Sequence, residues 1–378
     1  MTPDPLHARL PASRRAVRGL TRCAIGLGLV ASIAAVAPAP LLAHVGDDTP
    51  AQAAPTPADA VTLLHEGKAT PDQLESLEAV LKAAGKSDPA SAEWKLGLAL
   101  IDRARGKRVE ARDALEPLAE SDENDARVQL WYGLLCFETV QQAGTLEQAT
   151  LARAGRDACE RAIELDPSLV AARVALVQFY VQAPALFGGS YRKARTHAQG
   201  LIDRPEPRTQ ITGHLQMAFI EGHREDWEAM EAQYALATQL AESRPETERA
   251  DSLRPVLRAR AGALLNQKKD AKAALAVLDQ LRPIARADDA SVWFLTGEAR
   301  RTLADRAGAI EAYERALAIN PDATNSRWNL AQLLEAQRAF ADAATHFDEF
   351  AKRFPNDERA GAARDSARRL RESATKNP

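Results

Sequence analysis

Apolar and polar positions repeat between Ala290 and Asp357. SVWFLTG, Ser291 to Gly297, is followed by AIEAYERALAINP, Ala309 to Pro321. The same order returns as NSRWNLA, Asn325 to Ala331, and AATHFDEFAKRFP, Ala343 to Pro355. In register, Gly297 matches Ala331, Ala309 matches Ala343, Tyr313 matches Phe347 and Pro321 matches Pro355, each pair 34 residues apart. The pattern predicts two successive hairpins of antiparallel helices. Small residues at Gly297 and Ala309 let the paired helices approach, and Tyr313 fills the space behind them. Pro321 ends the second helix, because proline lacks the backbone donor and clashes with the preceding turn. A single hairpin leaves its apolar face open, so neighbours must stack on it.

Weaker copies precede these two. The first pairs Val61, Leu63 and Leu64 with a helix carrying Leu74, Leu77, Val80, Leu81 and Ala84. Thr70, Pro71 and Gln73 read as cap, first position and capping box of that helix, with Gly85 past its end. The second runs from Ser91 to Leu115, and its Gly97 falls two residues early for perfect phase. The third pairs Val128–Leu135 with Ala158–Pro167, about ten extra residues separating its helices between Glu138 and Glu147. The fourth pairs Ala171–Tyr180 with Tyr191–Ala198 around an insertion, QAPALFGGS, from Gln182 to Ser190. The fifth pairs a helix at His214 with Trp227–Ala237, and the sixth pairs Leu253–Leu265 with Ala271–Leu281. Pro255 is placed near the start of its helix, where proline is tolerated. A final amphipathic helix, Asp357 to Leu370, reads as a solubilising cap. About eight hairpins and this helix span residues 58 to 373 as one continuous solenoid.

The 34-residue period, with small residues, an aromatic and a proline in fixed places, resembles the tetratricopeptide repeat. The resemblance covers most of residues 58 to 373 and is strongest in the last two copies. It implies an all-α fold, a right-handed superhelical solenoid of antiparallel helix pairs, with a groove lined by the first helices that takes a partner protein or peptide. In this family the second, fifth, ninth, twelfth and thirteenth positions of the first helix turn to the groove. Here those include Ser291, Phe294, Glu298 and Arg301, then Asn325, Trp328, Gln332 and Glu335. Phe294 and Trp328 would form an aromatic pair on one wall; the alternative is that both rings are packed between repeats. Trp293 takes the usual packing position. The family register also makes Gly133 face Gly155, which leaves Cys136 and Cys159 offset by roughly 10 Å along their helices at about 1.5 Å per residue. A disulfide needs Cα atoms about 4.4–6.8 Å apart, so both are expected as buried free thiols.

Composition agrees with helices: 46% of the 378 residues are hydrophobic and only 5% aromatic, with alanine and leucine abundant. Residues 1 to 22 carry Arg9, Arg14, Arg15, Arg18 and Arg22 against Asp4 alone, and an apolar run, Ala24 to Ala37, follows. With the small-residue end at Ala43, residues 1 to 43 read as a signal peptide, and residues 44 to 57 as a flexible leader. An uncleaved anchor is the rival reading, and Ser13–Arg14–Arg15 leaves general secretory and twin-arginine routes both open. Export to the periplasm is expected; secretion is the other destination. Without residues 1 to 43 the chain keeps 44 basic and 51 acidic residues, a net charge of −7. No basic block with interleaved aromatics survives, so nucleic acid is not an expected partner. No stretch of the remaining chain is long enough for stable membrane insertion.

Candidate chemistry is sparse. The seven histidines lack the three- or four-residue spacing of ligands on one helix face, and no cysteine pair has zinc-site spacing. Nucleophile elbows, phosphate-binding glycine loops and metalloprotease motifs are missing. The acidic run SDEND, Ser121 to Asp125, lacks the glycine and glutamate of a calcium loop and reads as an inter-repeat turn. Gly188 and Gly189 invite a phosphate cradle, but glycine there more simply frees the backbone. No metal, cofactor or catalytic residue is expected. The functional reading is a periplasmic interaction scaffold. The alternatives are a self-assembling structural subunit of the envelope and an enzyme with a site in the loop insertions.

Overall fold

The computed structural model describes residues 55–121 and 124–376. The stretch expected as a signal peptide, most of the expected leader and part of the Ser121–Asp125 run lie outside the described residues. Everything regular within them is helical. Contacts divide the chain into two units, one through Leu201 and one from Ile202.

In the first unit, α1 (Pro57–His65) pairs with α2 (Leu74–Ser87), and α3 (Ala92–Ala104) with α4 (Arg108–Ser121). Then α5 (Ala126–Thr139) pairs with α6 (Thr145–Leu165), and α7 (Val170–Gln182) with α8 (Tyr191–Ile202). The Thr70 box forms as expected, its backbone N–H donating to Gln73 Oε1 at 2.9 Å. Gly85, however, lies inside α2 rather than past it. A Cβ there would meet the Trp94 ring at 2.7 Å, so the glycine serves close packing of an indole and not chain reversal. The early phase of Gly97 also has a cause: it abuts Leu81 of the preceding hairpin. Gly297 instead packs on Tyr313 of its own hairpin.

Of the ten extra residues of the third hairpin, only Val140 to Gly144 lie between its helices, the first three as a 3-10 turn. Glu138 belongs to α5, and Thr145 to Glu147 open α6, a helix of 21 residues. The segment TLEQATLARAG is rich in helix formers, so the insertion lengthens the second helix. Gly133 and Gly155 do face each other; a Cβ on Gly155 would approach the Gly133 carbonyl oxygen at 3.0 Å. Cys136 and Cys159 are buried and free.

The second unit holds α9 (Pro207–His223), α10 (Trp227–Glu242), α11 (Glu246–Ala263), α12 (Ala271–Leu281), α13 (Ala290–Thr302), α14 (Arg306–Ile319), α15 (Thr324–Ala336), α16 (Phe340–Arg353) and α17 (Ala360–Lys376). Pro255 is in the interior of α11, which begins at Glu246 behind Pro245, and not near its start. A five-residue π turn, Leu264–Lys268, follows that helix.

Most hairpin turns share one device. The backbone enters the left-handed region at Gly67 and Gly106 in the first unit, and at Glu225, Lys269, Ala304 and Arg338 in the second. After three of these, an aspartate caps the next helix: Asp226 accepts from Ala229 N at 3.1 Å, Asp270 from Ala273 N and Asp305 from Gly308 N at 3.0 Å. The core of the last hairpins gathers Ala309, Tyr313, Leu330, Ala331, Ala343, Phe347 and Phe350, closed by Ala363, Ala367 and Leu370 of α17. Each unit is thus an all-α solenoid of antiparallel helix pairs.

Candidate functional site

The first helices of the seventh and eighth hairpins, α13 and α15, carry the residues chosen from sequence. Asp289 caps α13, accepting from Ser291 N at 3.1 Å and from Ser291 Oγ at 2.5 Å. Ser291 is therefore engaged at the helix start. One turn on, Phe294 is half-buried, its ring tilted against Tyr313 at 6.2 Å. Glu298 comes next and collects three donors. Tyr313 Oη donates to it, Asn329 Nδ2 of the following hairpin donates at 2.6 Å, and Arg301 Nη2 at 2.8 Å. Burial works to raise the Glu298 carboxyl, but the bonds from Arg301, Tyr313 and Asn329 outweigh it and hold the group below the ordinary carboxylate range. Glu298 is a charged bracket between two hairpins.

Trp328 occupies the matching position on α15. Its ring meets Phe347 edge-on at 5.3 Å and Phe350 at 5.2 Å, leaving it half-buried. Phe294 and Trp328 each spend their ring contacts on the second helix of their own hairpin. The guanidinium groups of Arg282 and Arg315 lie 5.3 Å and 4.5 Å from the centre of the Trp293 ring. Asn325 and Gln332 are exposed.

Residues of α17 and the turn before it complete this face. Arg359 lies 5.4 Å from the Trp328 ring centre, and its Nη1 donates to Asn325 Oδ1 at 3.1 Å. Arg369 Nη2 donates to Glu335 Oε1 at 2.9 Å. Both bonds join residues 34 apart, and Arg127 donates to Glu93 across the same interval in the first unit. The columns Ser291–Asn325–Arg359 and Arg301–Glu335–Arg369 were readable by extending the period one step further. The degenerate sequence of the terminal helix, with no second helix to confirm its phase, hid Arg359 and Arg369. Asn329 escaped because it lies between the positions that face the groove.

Residues 303–366 match the family model of the tetratricopeptide repeat. That span runs from the turn before α14 into α17. Among solved structures, a tetratricopeptide repeat protein from Parabacteroides merdae aligns at a TM-score of 0.52 and 15% identity, covering 73% of this chain and 96% of its own. Yeast Tom70 aligns at 0.63 and 14% identity, covering 98% of this chain and 76% of its own. At these identities the likeness establishes the fold. No curated protein matches the sequence.

Other chemistry is thin among the described residues. No group of three or more His, Cys, Asp or Glu side chains is placed to hold a metal ion, and no helix is long and apolar enough to cross a membrane. A recess of about 330 Å³ in the second unit is lined by His214, Leu236 and Leu240, and by none of the residues expected at a binding face. Gly188 and Gly189 form no phosphate cradle, since their N–H groups donate to Ala185 O and Pro184 O, both at 3.1 Å. Only Gly188 has the left-handed backbone, φ +98°. Gly189 is required for another reason, because a Cβ would overlap the Ala183 carbonyl.

Proposed function

We propose that the protein is a non-catalytic scaffold, exported to the periplasm, that holds a segment of a partner protein on the face made by α13, α15 and α17. The observation that carries this reading is the half-buried Trp328, packed on Phe347 and Phe350, with Arg359 near its ring and the exposed Asn325 and Gln332 on the same helix. Aromatic and arginine anchors of that kind dominate protein interfaces. The Glu298 bracket fixes the polar groups beside it, so a bound segment meets a pre-set surface and less side-chain freedom is lost on binding. Partner binding by the tetratricopeptide family, and the yeast protein's likeness in fold, agree with this reading.

The test uses a photo-crosslinking residue at exposed Gln332 and, as control, at exposed Glu311 on α14. In envelope extracts of the source cell, Gln332 should join a defined partner and Glu311 should not. Trp328→Ala should cut that crosslink at least about tenfold, in keeping with a truncation cost of about 2 kcal/mol. Equal crosslinking from both positions argues against a binding face here. Export is tested separately: the chain recovered from the envelope should begin at or near His44, and an intact Met1 terminus in the cytosol would refute it.

A further inference from the structure

The α7–α8 turn exposes apolar side chains that its own backbone does not need. Leu186 is 88% exposed, Phe187 39% and Tyr191 40%. Backbone bonds hold the turn that carries them: Phe187 N donates to Pro184 O, and Ser190 N reaches back to Tyr180 O, both at 2.8 Å. Leu186 and Phe187 are thus held outward by an ordered backbone.

Charge along the chain segment that carries the turn has one sign. No Asp or Glu occurs between Asp166 and Asp203, while Arg173, Arg192, Lys193 and Arg195 do, in a chain whose net charge is −3. Arg192, Lys193 and Arg195 are exposed on the first turns of α8, directly behind the apolar tip. The Arg156 guanidinium comes close to Gly188. The carboxylates beside it are engaged: Asp157 accepts from Arg156 at 2.8 Å, and Glu160 accepts from the Tyr180 hydroxyl with Lys193 Nζ at 3.6 Å. An ordered leucine–phenylalanine tip backed by exposed cations has the chemistry of an interfacial anchor: the apolar groups enter the headgroup layer and the cations meet lipid phosphates. A protein partner would need a pocket shaped to Leu186, whereas a lipid surface accepts a protruding side chain without one.

We propose that this turn docks the protein on an anionic lipid surface, independently of any apolar N-terminal run. The experiment places an environment-sensitive fluorophore on Leu186→Cys in the full chain, with Cys23→Ser; Cys136 and Cys159 are buried. Vesicles rich in phosphatidylglycerol should shift the emission to the blue, and phosphatidylcholine vesicles should not. Arg192→Gln with Arg195→Gln should weaken the response about 30-fold, taking roughly fivefold per cation near a charged surface. Because the fluorophore reports only its own surroundings, attachment through the N-terminus leaves it unshifted. No shift on phosphatidylglycerol, as expected of a protein-docking turn, overturns the proposal. An equal shift on neutral vesicles, or one unaffected by loss of both arginines, overturns it as well.

Discussion

Ala309 is fully buried where α14 packs beneath α13, whereas Glu311 two residues on is exposed and paired with Arg315. Ala309→Leu must overpack that contact and should cost about 1–3 kcal/mol, read as a lower denaturant midpoint; Glu311→Ala should stay within about 0.5 kcal/mol. Equal losses would contradict the repeat register. Burial, and then Arg173, hold His197 down at about 4, and burial also lowers His65, His223 and His346. An unfolded histidine takes up its proton near 6.5. From there down toward about 4 the unfolded chain binds more protons, so the contribution of these groups is complete above 6.5 and is lost as pH falls. Thermal midpoints should therefore decline between about pH 7 and pH 5, and His197→Phe, which keeps a ring against Tyr180, should flatten that slope. A wild-type midpoint constant across this range would contradict the burial of these rings as neutral species.

Helix pairing was legible where side chains enforce it, as at Gly297, Tyr313 and Pro321, whose sizes and missing donor leave few alternatives. Gly133 facing Gly155 was legible for the same reason. Turns were harder. Glycine signals a left-handed backbone, and the chain uses it at Gly67 and Gly106, yet Glu225, Lys269, Ala304 and Arg338 adopt the same conformation. No residue type announces them; their aspartate neighbours do so only in part. Gly85 misled because the space it leaves is filled by Trp94, a contact made across hairpins. Pro255 misled because helix propensity and neighbouring packing carried α11 past it from Glu246. The left-handed strain gives an opposed pair of expectations. Ala304→Gly should stabilise by about 0.5–1 kcal/mol, while Gly106→Ala should destabilise by about 1 kcal/mol. Calorimetry on the two variants checks both signs.

At the scale of the molecule, each helix pair draws stability from the pairs it touches, so damage should fade with distance along the stack. In Ala309→Leu, hydrogen exchange should accelerate across α13 to α16 and leave α3 and α4 at their native rates. Uniform acceleration would mean that the chain opens as one body. The candidate face was half legible: family positions found Asn325, Trp328 and Glu335, but the residues that join them, Arg359 and Arg369, sit where no full repeat remains to be recognised. The bonds at an interval of 34 also bear on how such a chain can lengthen. An in-frame duplication beginning at Ala290 would bring Ser291, Glu298 and Arg301 back at the spacing their neighbours already expect. The copy would find its stacking partners and its place in both polar columns without a compensating substitution, so an addition of that length extends the face where any other length would break its register.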